Sequence, residues 1–390
     1  MGMKVRLIAA ILALALCGLV ACSSRSLTQS QSGTATVYLA TQGNSEISSY
    51  TVALSNGALS AVGAILSTGT TPVAITIPPS VSAMFVANTG SNDITSYSIS
   101  NASLTAGSTT ATGGTLPVGL TTDPAGKFLF VANQASSNIS VFSINGTALT
   151  KVPGSPFTTI PVGTTFSTAP VAVVVSPSGQ WLYVANQGSN DISVFSIASS
   201  GALTMVTPPP YTTGLGPNGL AITPNGGFLY VANTGSNNVS AFAICDKVVT
   251  SCANPNAPDG TLHEVTGSPF PAGEGPIAVA ADPSFAFLYV LDKGSNQISQ
   301  YSYGTGTGVL SVLSPGAVAT GQTPVSFVII AGASGTSAGN TTTNPADYIF
   351  VANNGASTLS GFTLNTTTGQ LTTLGLALTV SENPSAVGAN

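Results

Sequence analysis

The sequence predicts an all-β fold, a seven-bladed β-propeller with four antiparallel strands in each blade. Seven copies of one motif, of the type FLYVAN followed by SN-x-IS-x-F, recur at intervals of roughly 45 to 61 residues. Each copy is flanked by a proline-led apolar segment and short turn motifs, and no helical period appears after the N-terminal segment. The motif copies begin at Tyr38, Phe85, Phe130, Tyr183, Tyr230, Tyr289 and Phe350.

The four strands of a blade follow one another in a fixed order along each repeat. The innermost strand begins with proline, as in PVAVV from Pro170, and a turn such as Ser176-Pro177-Ser178-Gly179 leads into the FLYVAN strand. A Gly-Ser-Asn loop follows, in which we expect a positive φ at the glycine and a bond from the asparagine to the turn backbone. The ISVFSI strand comes next, and a Gly-x-Leu turn such as Gly201-Ala202-Leu203 opens the outermost strand.

The innermost strands carry a second signal, a small side chain two residues after each leading proline. The inner strands of a propeller converge on a central axis, where neighbouring backbones leave little room. The final segment, PSAV from Pro384, is a proline-led strand with no motif after it, and the copy at Tyr38 has no such strand before it. We therefore expect the C-terminal strand to complete the N-terminal blade and close the ring. The small residues are Ala74, Gly119, Ala172, Gly219, Ala278, Ser326 and Ala386.

The chain divides into a signal peptide at 1–21, a flexible polar tether at 22–36 and a propeller at 37–390. Two basic residues precede an apolar run that ends in the letters LVAC, a pattern that resembles a bacterial lipobox. We expect Cys22 to be lipidated and to anchor the protein to a membrane, and an ordinary secretory signal is the alternative. Ser23 after the cysteine favours the outer membrane of a two-membrane bacterium, with the protein on the periplasmic or the cell-surface face.

Two further cysteines, Cys245 and Cys252, remain in the propeller. In an oxidising compartment we expect them to form a disulfide that closes a loop. A catalytic thiol is the alternative, but it would need a neighbouring base, and the sequence shows none.

Composition limits the classes of partner. Charged residues make up 5% of the chain, and the formal net charge is −5. No basic patch with interleaved aromatic residues is visible, so we expect no binding to nucleic acid. A closed ring has no sheet edge that demands a partner, so we expect a monomer.

The repeated FLYVAN and SN-x-IS-x-F motifs, with the Gly-x-Leu-Thr turns and the loop sequence GSPF, resemble the YVTN-repeat and lactonase families of seven-bladed propellers. These include 6-phosphogluconolactonase-like and muconate-lactonising members, and the resemblance covers about residues 37–390. It implies opening or closing of a lactone at the central funnel by polar and charged residues, among them His, Glu and Arg. The repeated motifs are structural, so they do not carry an activity by themselves.

The propeller departs from this pattern in its cations. Arg25 in the tether is the last arginine, and only Lys293 among the propeller lysines lies in a loop expected at the upper face. A phosphorylated lactone is a dianion that normally meets Arg or Lys clusters, so such a substrate is disfavoured. His263, the one histidine, takes a Ser or Thr position on the outermost strand and is predicted to point away from the funnel. The propeller lysines are Lys127, Lys151, Lys247 and Lys293.

The best candidates for chemistry lie two residues before the leading prolines, in loops expected at the upper mouth of the channel. Glu274, Gln322 and Glu382 occupy this position on three neighbouring blades. The two carboxylates are predicted to act as catalytic acid and base, or to share a hard cation such as Ca²⁺. The alternative is that they are solvated loop residues. Asp292 and Lys293 replace the usual asparagine and its successor on the blade of Glu274.

The sequence leaves two functions open. One is a binding or scaffold module on the cell envelope, whose partner is an envelope protein, a glycan or a small lactone. The other is a lactonase-like hydrolase that opens an uncharged lactone or sugar lactone at the funnel, with or without a metal ion. The anchor, the low charge and the near-identical blades slightly favour the binding module, so the sequence does not decide whether the protein is an enzyme.

Overall fold

The computed structural model describes residues 34–79, 82–161, 163, 167–206, 211–246, 259–283, 286–331, 347–375 and 377–390. Within these ranges every regular element is a β-strand, and the strands form seven separate antiparallel sheets. The innermost strands of the sheets contact one another in cyclic order, which closes a ring. The predicted fold class, a seven-bladed propeller, is therefore confirmed. No helix in the described ranges has the length and hydropathy that a membrane span requires.

Strands β1 to β12 contribute to blades 1 to 3. They are β1 (Thr34–Thr41), β2 (Glu46–Ala53), β3 (Leu59–Ser67), β4 (Pro72–Thr76), β5 (Ala83–Asn88), β6 (Asp93–Ser100), β7 (Ser103–Ala111), β8 (Pro117–Thr122), β9 (Phe128–Asn133), β10 (Asn138–Asn145), β11 (Ala148–Lys151) and β12 (Phe157–Thr158). Blade 2 contains β4 to β7, and blade 3 contains β8 to β12.

The remaining strands build blades 4 to 7 and end with a strand that returns to blade 1. They are β13 (Pro170–Val175), β14 (Trp181–Asn186), β15 (Asp191–Ile197), β16 (Leu203–Met205), β17 (Tyr211–Thr212), β18 (Pro217–Ile222), β19 (Phe228–Asn233), β20 (Asn238–Ile244), β21 (Leu262–Glu264), β22 (Phe270–Pro271), β23 (Pro276–Ala281), β24 (Phe287–Asp292), β25 (Gln297–Tyr303), β26 (Leu310–Ala319), β27 (Pro324–Ile330), β28 (Asp347–Asn353), β29 (Thr358–Leu364), β30 (Leu371–Thr373), β31 (Leu378–Thr379) and β32 (Pro384–Ala389). In blades 3, 4, 5 and 7 the outermost strand is split into two short pieces that pair with the same neighbour.

Ring closure occurs in blade 1, as the sequence predicts. Strand β32 pairs antiparallel with β1, with Ala386 opposite Ala40 and Ala389 opposite Val37. Backbone bonds of 2.9 Å in both directions between Thr36 and Asn390 extend this ladder. Because β1 begins at Thr34, the sheet includes three residues that the sequence assigned to the tether. The signal peptide and the rest of the tether, with Cys22, lie outside the described residues.

The small residues of the inner strands lie where neighbouring blades approach most closely. A Cβ on Gly219 would lie 2.7 Å from the Cα of Ala278 in the next blade, a distance that real Cβ atoms do not show. Ala172, Ser326 and Ala386 are each buried to 3% exposure or less. The predicted crowding at the axis is confirmed, and it explains why this position accepts only small side chains.

The Gly-Ser-Asn loops connect the second and third strands of a blade at the upper end of the ring and form hydrogen bonds with the next blade. The prediction of a positive φ at their glycines is wrong. The positive φ falls on the asparagine, as at Asn237 with 53°. Its side-chain Oδ1 accepts a 2.8 Å bond from the backbone N–H of Gly275 in the next blade. The glycine is required by space instead, since a Cβ on Gly294 would lie 2.9 Å from the carbonyl oxygen of Glu274.

The same bond between blades recurs around the ring. The N–H groups of Leu116, Gly216 and Thr323 donate to the side chains of Asn92, Asn190 and Asn296, at 2.7, 2.7 and 2.6 Å. Each donor directly precedes a leading proline and has a left-handed backbone, a conformation that residues before proline rarely take. The asparagine therefore holds a strained loop in place at the mouth of the channel.

The lower end of the ring has a different joint, in which each Gly-x-Leu glycine lies on an aromatic ring of the preceding blade. Gly308 has a φ of 71°, and a Cβ there would overlap the ring of Phe228. The hydroxyl of Tyr230 donates to the carbonyl of Gly308 at 2.9 Å, and that of Tyr289 to Gly369 at 2.7 Å. The repeated motifs thus specify contacts between blades as well as the strands within each blade.

Candidate functional site

The three predicted catalytic residues lie on the upper loops, each two residues before the inner strand of its blade. Glu274, Gln322 and Glu382 all have exposed side chains. Hydrogen bonds hold the backbones of two of them, since Gly294 N–H donates to the Glu274 carbonyl at 2.8 Å and Gly355 N–H donates to that of Gln322 at 3.1 Å. No hydrogen bond or ion pair within the described residues links any two of the three side chains. Their catalytic role therefore stays a prediction.

A cavity of about 210 Å³ lies on the axis of the ring, where the inner strands meet. Most of the residues that line it are aliphatic, and six of the thirteen directly follow the leading prolines, one position before the small residues. Three of the lining residues have polar side chains, namely Asn218, Lys293 and Ser326. The aliphatic residues at this level are Val73, Val118, Val171, Ile277 and Val325.

The sequence analysis did not predict this wall. It compared the residues two positions after the leading prolines but not the residues that directly follow those prolines. The signal was present, since that position reads Val, Val, Val, Asn, Ile, Val and Ser around the ring. Five aliphatic residues therefore occupy this position, and Asn218 and Ser385 interrupt them. None of Glu274, Gln322 and Glu382 belongs to the cavity wall.

Lys293 lies in the upper loop of blade 6 and lines the cavity, as the sequence expected of the one lysine at the upper face. Its backbone N–H donates to Gly275 at 2.9 Å. In blades 2 and 5 the equivalent residue is a threonine, and the hydroxyls of Thr89 and Thr234 each donate to a proline carbonyl of the next blade at 2.7 Å. In blade 6 that bond is replaced by an ammonium group that forms no ion pair with the described residues.

Asp292, the neighbour of Lys293, is fully buried and stands where other blades carry a buried asparagine. The asparagine normally donates, as Asn233 does to Asn238 and Ser240 at 2.8 and 2.9 Å. At Asp292 the direction is reversed, because the hydroxyl of Ser299 donates to the carboxylate at 2.6 Å. Burial raises the pKa of Asp292 to about 6, and hydrogen bonds from Ser299 and Gln297 oppose that shift.

The other acidic residues of the Gly-Ser-Asn loops have structural partners. Asp93 and Asp191 each accept a 2.7 Å bond from the buried asparagine of their own blade, Asn88 and Asn186. They complete the turn between the second and third strands. Within the described residues, no group of three His, Cys, Asp or Glu side chains is placed to hold a metal ion, and the shared Ca²⁺ remains a prediction.

The remaining predicted residues lie away from the channel or outside the description. His263 is exposed on β21, the outermost strand of blade 5, as predicted. Lys127 is exposed beside the lower turn that Asp123 caps, and Lys151 ends β11. Cys245 is buried and disulfide-bonded, whereas Cys252, predicted as its partner, lies outside the described residues, as does Lys247.

Comparison with known families identifies a matching family profile. The profile described as "Lactonase, 7-bladed beta-propeller" matches residues 26–106, 74–153 and 151–249, which together span more than half of the chain. No curated protein sequence matches the chain.

Solved structures with the same fold include lactonase-like proteins. A putative 6-phosphogluconolactonase from Bacteroides fragilis superposes with a TM-score of 0.74 at 21% identity, over 93% of this chain and 99% of that one. One from Bacteroides uniformis gives 0.72 at 19% identity, over 92% and 100%. A periplasmic gluconolactonase from Pseudomonas aeruginosa gives 0.70 at 21% identity, over 91% and 99%. At these identities the likeness concerns the fold.

Proposed function

The chain belongs to the family of seven-bladed lactonase β-propellers, and we propose that it uses this fold as a binding module anchored at the cell envelope. In this proposal the ligand enters the upper end of the central channel. The blades supply a rigid ring, and the loops before the inner strands frame the entrance.

The observation that carries the proposal is the composition of the channel wall. Ten of the thirteen residues that line it are aliphatic, the other three are Asn218, Lys293 and Ser326, and the carboxylates Glu274 and Glu382 lie outside it. Apolar walls with a few placed polar groups are typical of sites that bind small molecules. General acid and base groups must reach the reacting atoms, and carboxylates outside the wall do not meet this condition for a ligand held in the channel.

A second candidate is hydrolysis of an uncharged lactone at the mouth of the channel. Family membership favours it, as do the gluconolactonase names of the structural relatives. In that case Glu274 and Glu382 would be the acid and base, with Gln322 orienting the substrate. A ligand that rests above the cavity rather than within it would meet these exposed side chains.

One experiment separates the two candidates. Residues 23–390 are assayed with gluconolactone, its 6-phosphate and acyl-homoserine lactones, with Ca²⁺ or a chelator, while binding is followed by thermal shift. For a binding module we expect no turnover above buffer, and ligand protection that is lost in Val325→Trp, which fills the channel. Turnover well above buffer that disappears in the Glu274→Gln, Glu382→Gln double variant would reject the binding module in favour of the hydrolase.

Envelope anchoring is tested separately by fractionation of a two-membrane bacterium that expresses the full chain. We expect the protein in the outer-membrane fraction and Cys22→Ala in the soluble or uncleaved form. Equal recovery of the two proteins in the outer-membrane fraction would reject the lipid anchor and leave the channel proposal unaffected.

A further inference from the structure

We propose that the central channel binds a small monocarboxylate with an apolar body, with the carboxylate at Lys293 and the body against the aliphatic wall. The inference rests on the proposed function, because it assigns a ligand class to the same site. It uses two features of the channel, the aliphatic residues that line it and Lys293, the one cationic residue among the described lining residues.

The wall selects an apolar body. Val73, Val118, Val171, Ile277 and Val325 come from five different blades, so aliphatic side chains surround the axis on most sides. A hydrocarbon body would bury its apolar surface against these side chains, which is favourable. The cavity of about 210 Å³ is below the roughly 300–1,000 Å³ of pockets for drug-sized ligands, so the ligand is small.

The charge of the ligand follows from Lys293. Its ammonium group forms no ion pair within the described residues, although Asp292 precedes it in the chain and Glu274 lies in the adjacent loop. Asp292 is buried and its carboxylate accepts bonds from Ser299 and Gln297 instead. Glu274 is exposed in the adjacent loop, and its side chain has no bond to the lysine. The cation is therefore available to a ligand.

A single cation fits a single negative charge. A phosphomonoester carries close to two charges and usually binds several Arg or Lys groups, which this wall does not supply. A carboxylate needs one ammonium group and one further hydrogen-bond donor. Asn218, in the neighbouring blade, brings an amide to the same wall and forms no hydrogen bond with the described residues.

Lys293 lies in the upper loop, whereas the aliphatic residues lie on the inner strands. This arrangement places the charged end of the ligand at the mouth and the apolar end inside the channel. A carboxylate at the mouth also keeps part of its hydration while the hydrocarbon inside the channel leaves water. This arrangement avoids the cost of burying a charge.

The test uses hexanoate as the probe and hexanamide as its neutral counterpart, with binding to residues 23–390 followed by calorimetry or ligand-observed NMR. We expect hexanoate to bind roughly fivefold more tightly than hexanamide, as one partly exposed ion pair allows. Lys293→Met should remove this difference and leave hexanamide binding unchanged, while Lys293→Arg should retain it. Lys127→Met, at the lower end, is the matched control and should behave as wild type. Gluconate, a polar monocarboxylate, should bind more weakly than hexanoate.

The outcomes distinguish the two proposals. Equal binding of hexanoate and hexanamide, or a preference that survives in Lys293→Met, would overturn the inference but leave the channel as a binding site. Gluconate binding as tightly as hexanoate would overturn the apolar selection. Failure of hexanoate and hexanamide alike to bind a folded protein would overturn the channel site itself, and the proposed function with it.

Discussion

Asp292 illustrates how one atom changes the chemistry of a position without changing its geometry. Five other blades place a buried asparagine there, which donates to side chains five and seven residues later. Asp292 accepts from the residues at the same two positions, because Gln297 and Ser299 supply donors. The turn is preserved, but a carboxyl group is now buried beside the channel.

Replacing this carboxyl group with an amide should stabilise the protein at neutral pH. Burial raises the folded-state pKa of Asp292 from 3.8 to about 6. The folded state therefore holds the proton more tightly, and the free energy of unfolding falls as the pH rises from about 4 to 6 and then stays level. We expect Asp292→Asn to gain about 1–3 kcal/mol at pH 8 and little at pH 4. Thermal melts at the two pH values measure the difference.

The matched control is Asn233→Asp in blade 5. It introduces a carboxyl group at the equivalent buried position, so it should destabilise the protein at pH 8 more than at pH 4. If Asp292→Asn were equally stable relative to wild type at both pH values, the carboxyl group would titrate normally, and the account of its burial would be wrong.

At the scale of the element, the upper loop depends on an asparagine that serves two purposes. Asn237 takes a left-handed backbone and also binds the N–H of Gly275 in the next blade. Asn237→Ala loses both, and we expect a loss of about 1–3 kcal/mol in the free energy of unfolding. Asn237→Gly keeps the backbone freedom and should lose only the hydrogen bond, about 1 kcal/mol. Denaturant titrations that gave equal losses would show that the left-handed backbone carries no cost.

The lower joint yields a prediction about three glycines in equivalent or nearby turns. Gly308→Ala should lose more stability than Gly146→Ala, because both have a positive φ but only Gly308 lies on an aromatic ring. Gly306→Ala, with open space around it, should change the free energy of unfolding by less than about 0.5 kcal/mol. We expect about 1 kcal/mol for Gly146→Ala and more than 2 for Gly308→Ala. The ring contact would be unimportant if Gly146→Ala and Gly308→Ala gave the same melting temperature.

These joints also show what the sequence allows to be predicted. The repeat period, the strand order and the positions of the turns follow from the repeated sequence motifs, since each motif is a local pattern. The role of glycine in the Gly-Ser-Asn loop did not follow, because both glycine and asparagine adopt a left-handed backbone. The choice between them is made by the neighbouring blade, where the Glu274 backbone leaves no room for a Cβ on Gly294.

For the whole molecule, the position of the site residues along the repeat was predictable from local patterns, whereas their surroundings, which other blades supply, were not. Glu274, Gln322 and Glu382 lie on the loops that the repeat alignment indicated. Their absence from the channel wall was not predictable, because an alignment gives the strand or loop that holds a residue but not the direction of its side chain. Lys293 was predicted for the upper face for the same reason, and only the structure shows that it lines the channel.

Closure of the ring makes the stability of all seven blades depend on strand β32. Ala386, Val387 and Ala389 are buried in it, and the hydroxyl of Ser385 donates to the carbonyl of Pro72 in blade 2 at 2.6 Å. Removal of residues 384–390 should leave the inner edge of β1 unpaired and remove contacts with both neighbouring inner strands. We expect the truncated protein to lose its cooperative thermal transition or to aggregate, because several kcal/mol is a large part of a domain's stability.

Adding the missing strand as a separate peptide tests whether this loss is one of closure. A peptide of residues 381–390 should bind the truncated protein and restore a single transition, since its backbone completes the β1 ladder. The same peptide with Gly388→Val should fail, because a Cβ at this position would lie 2.8 Å from Cγ2 of Ile75 in the next blade. If the truncated protein melted like wild type without the peptide, blades 2 to 7 would be stable without ring closure, and β32 would not be needed for the stability of the protein. Rescue by both peptides would mean that pairing with β1 suffices, and that packing against blade 2 contributes little to closure.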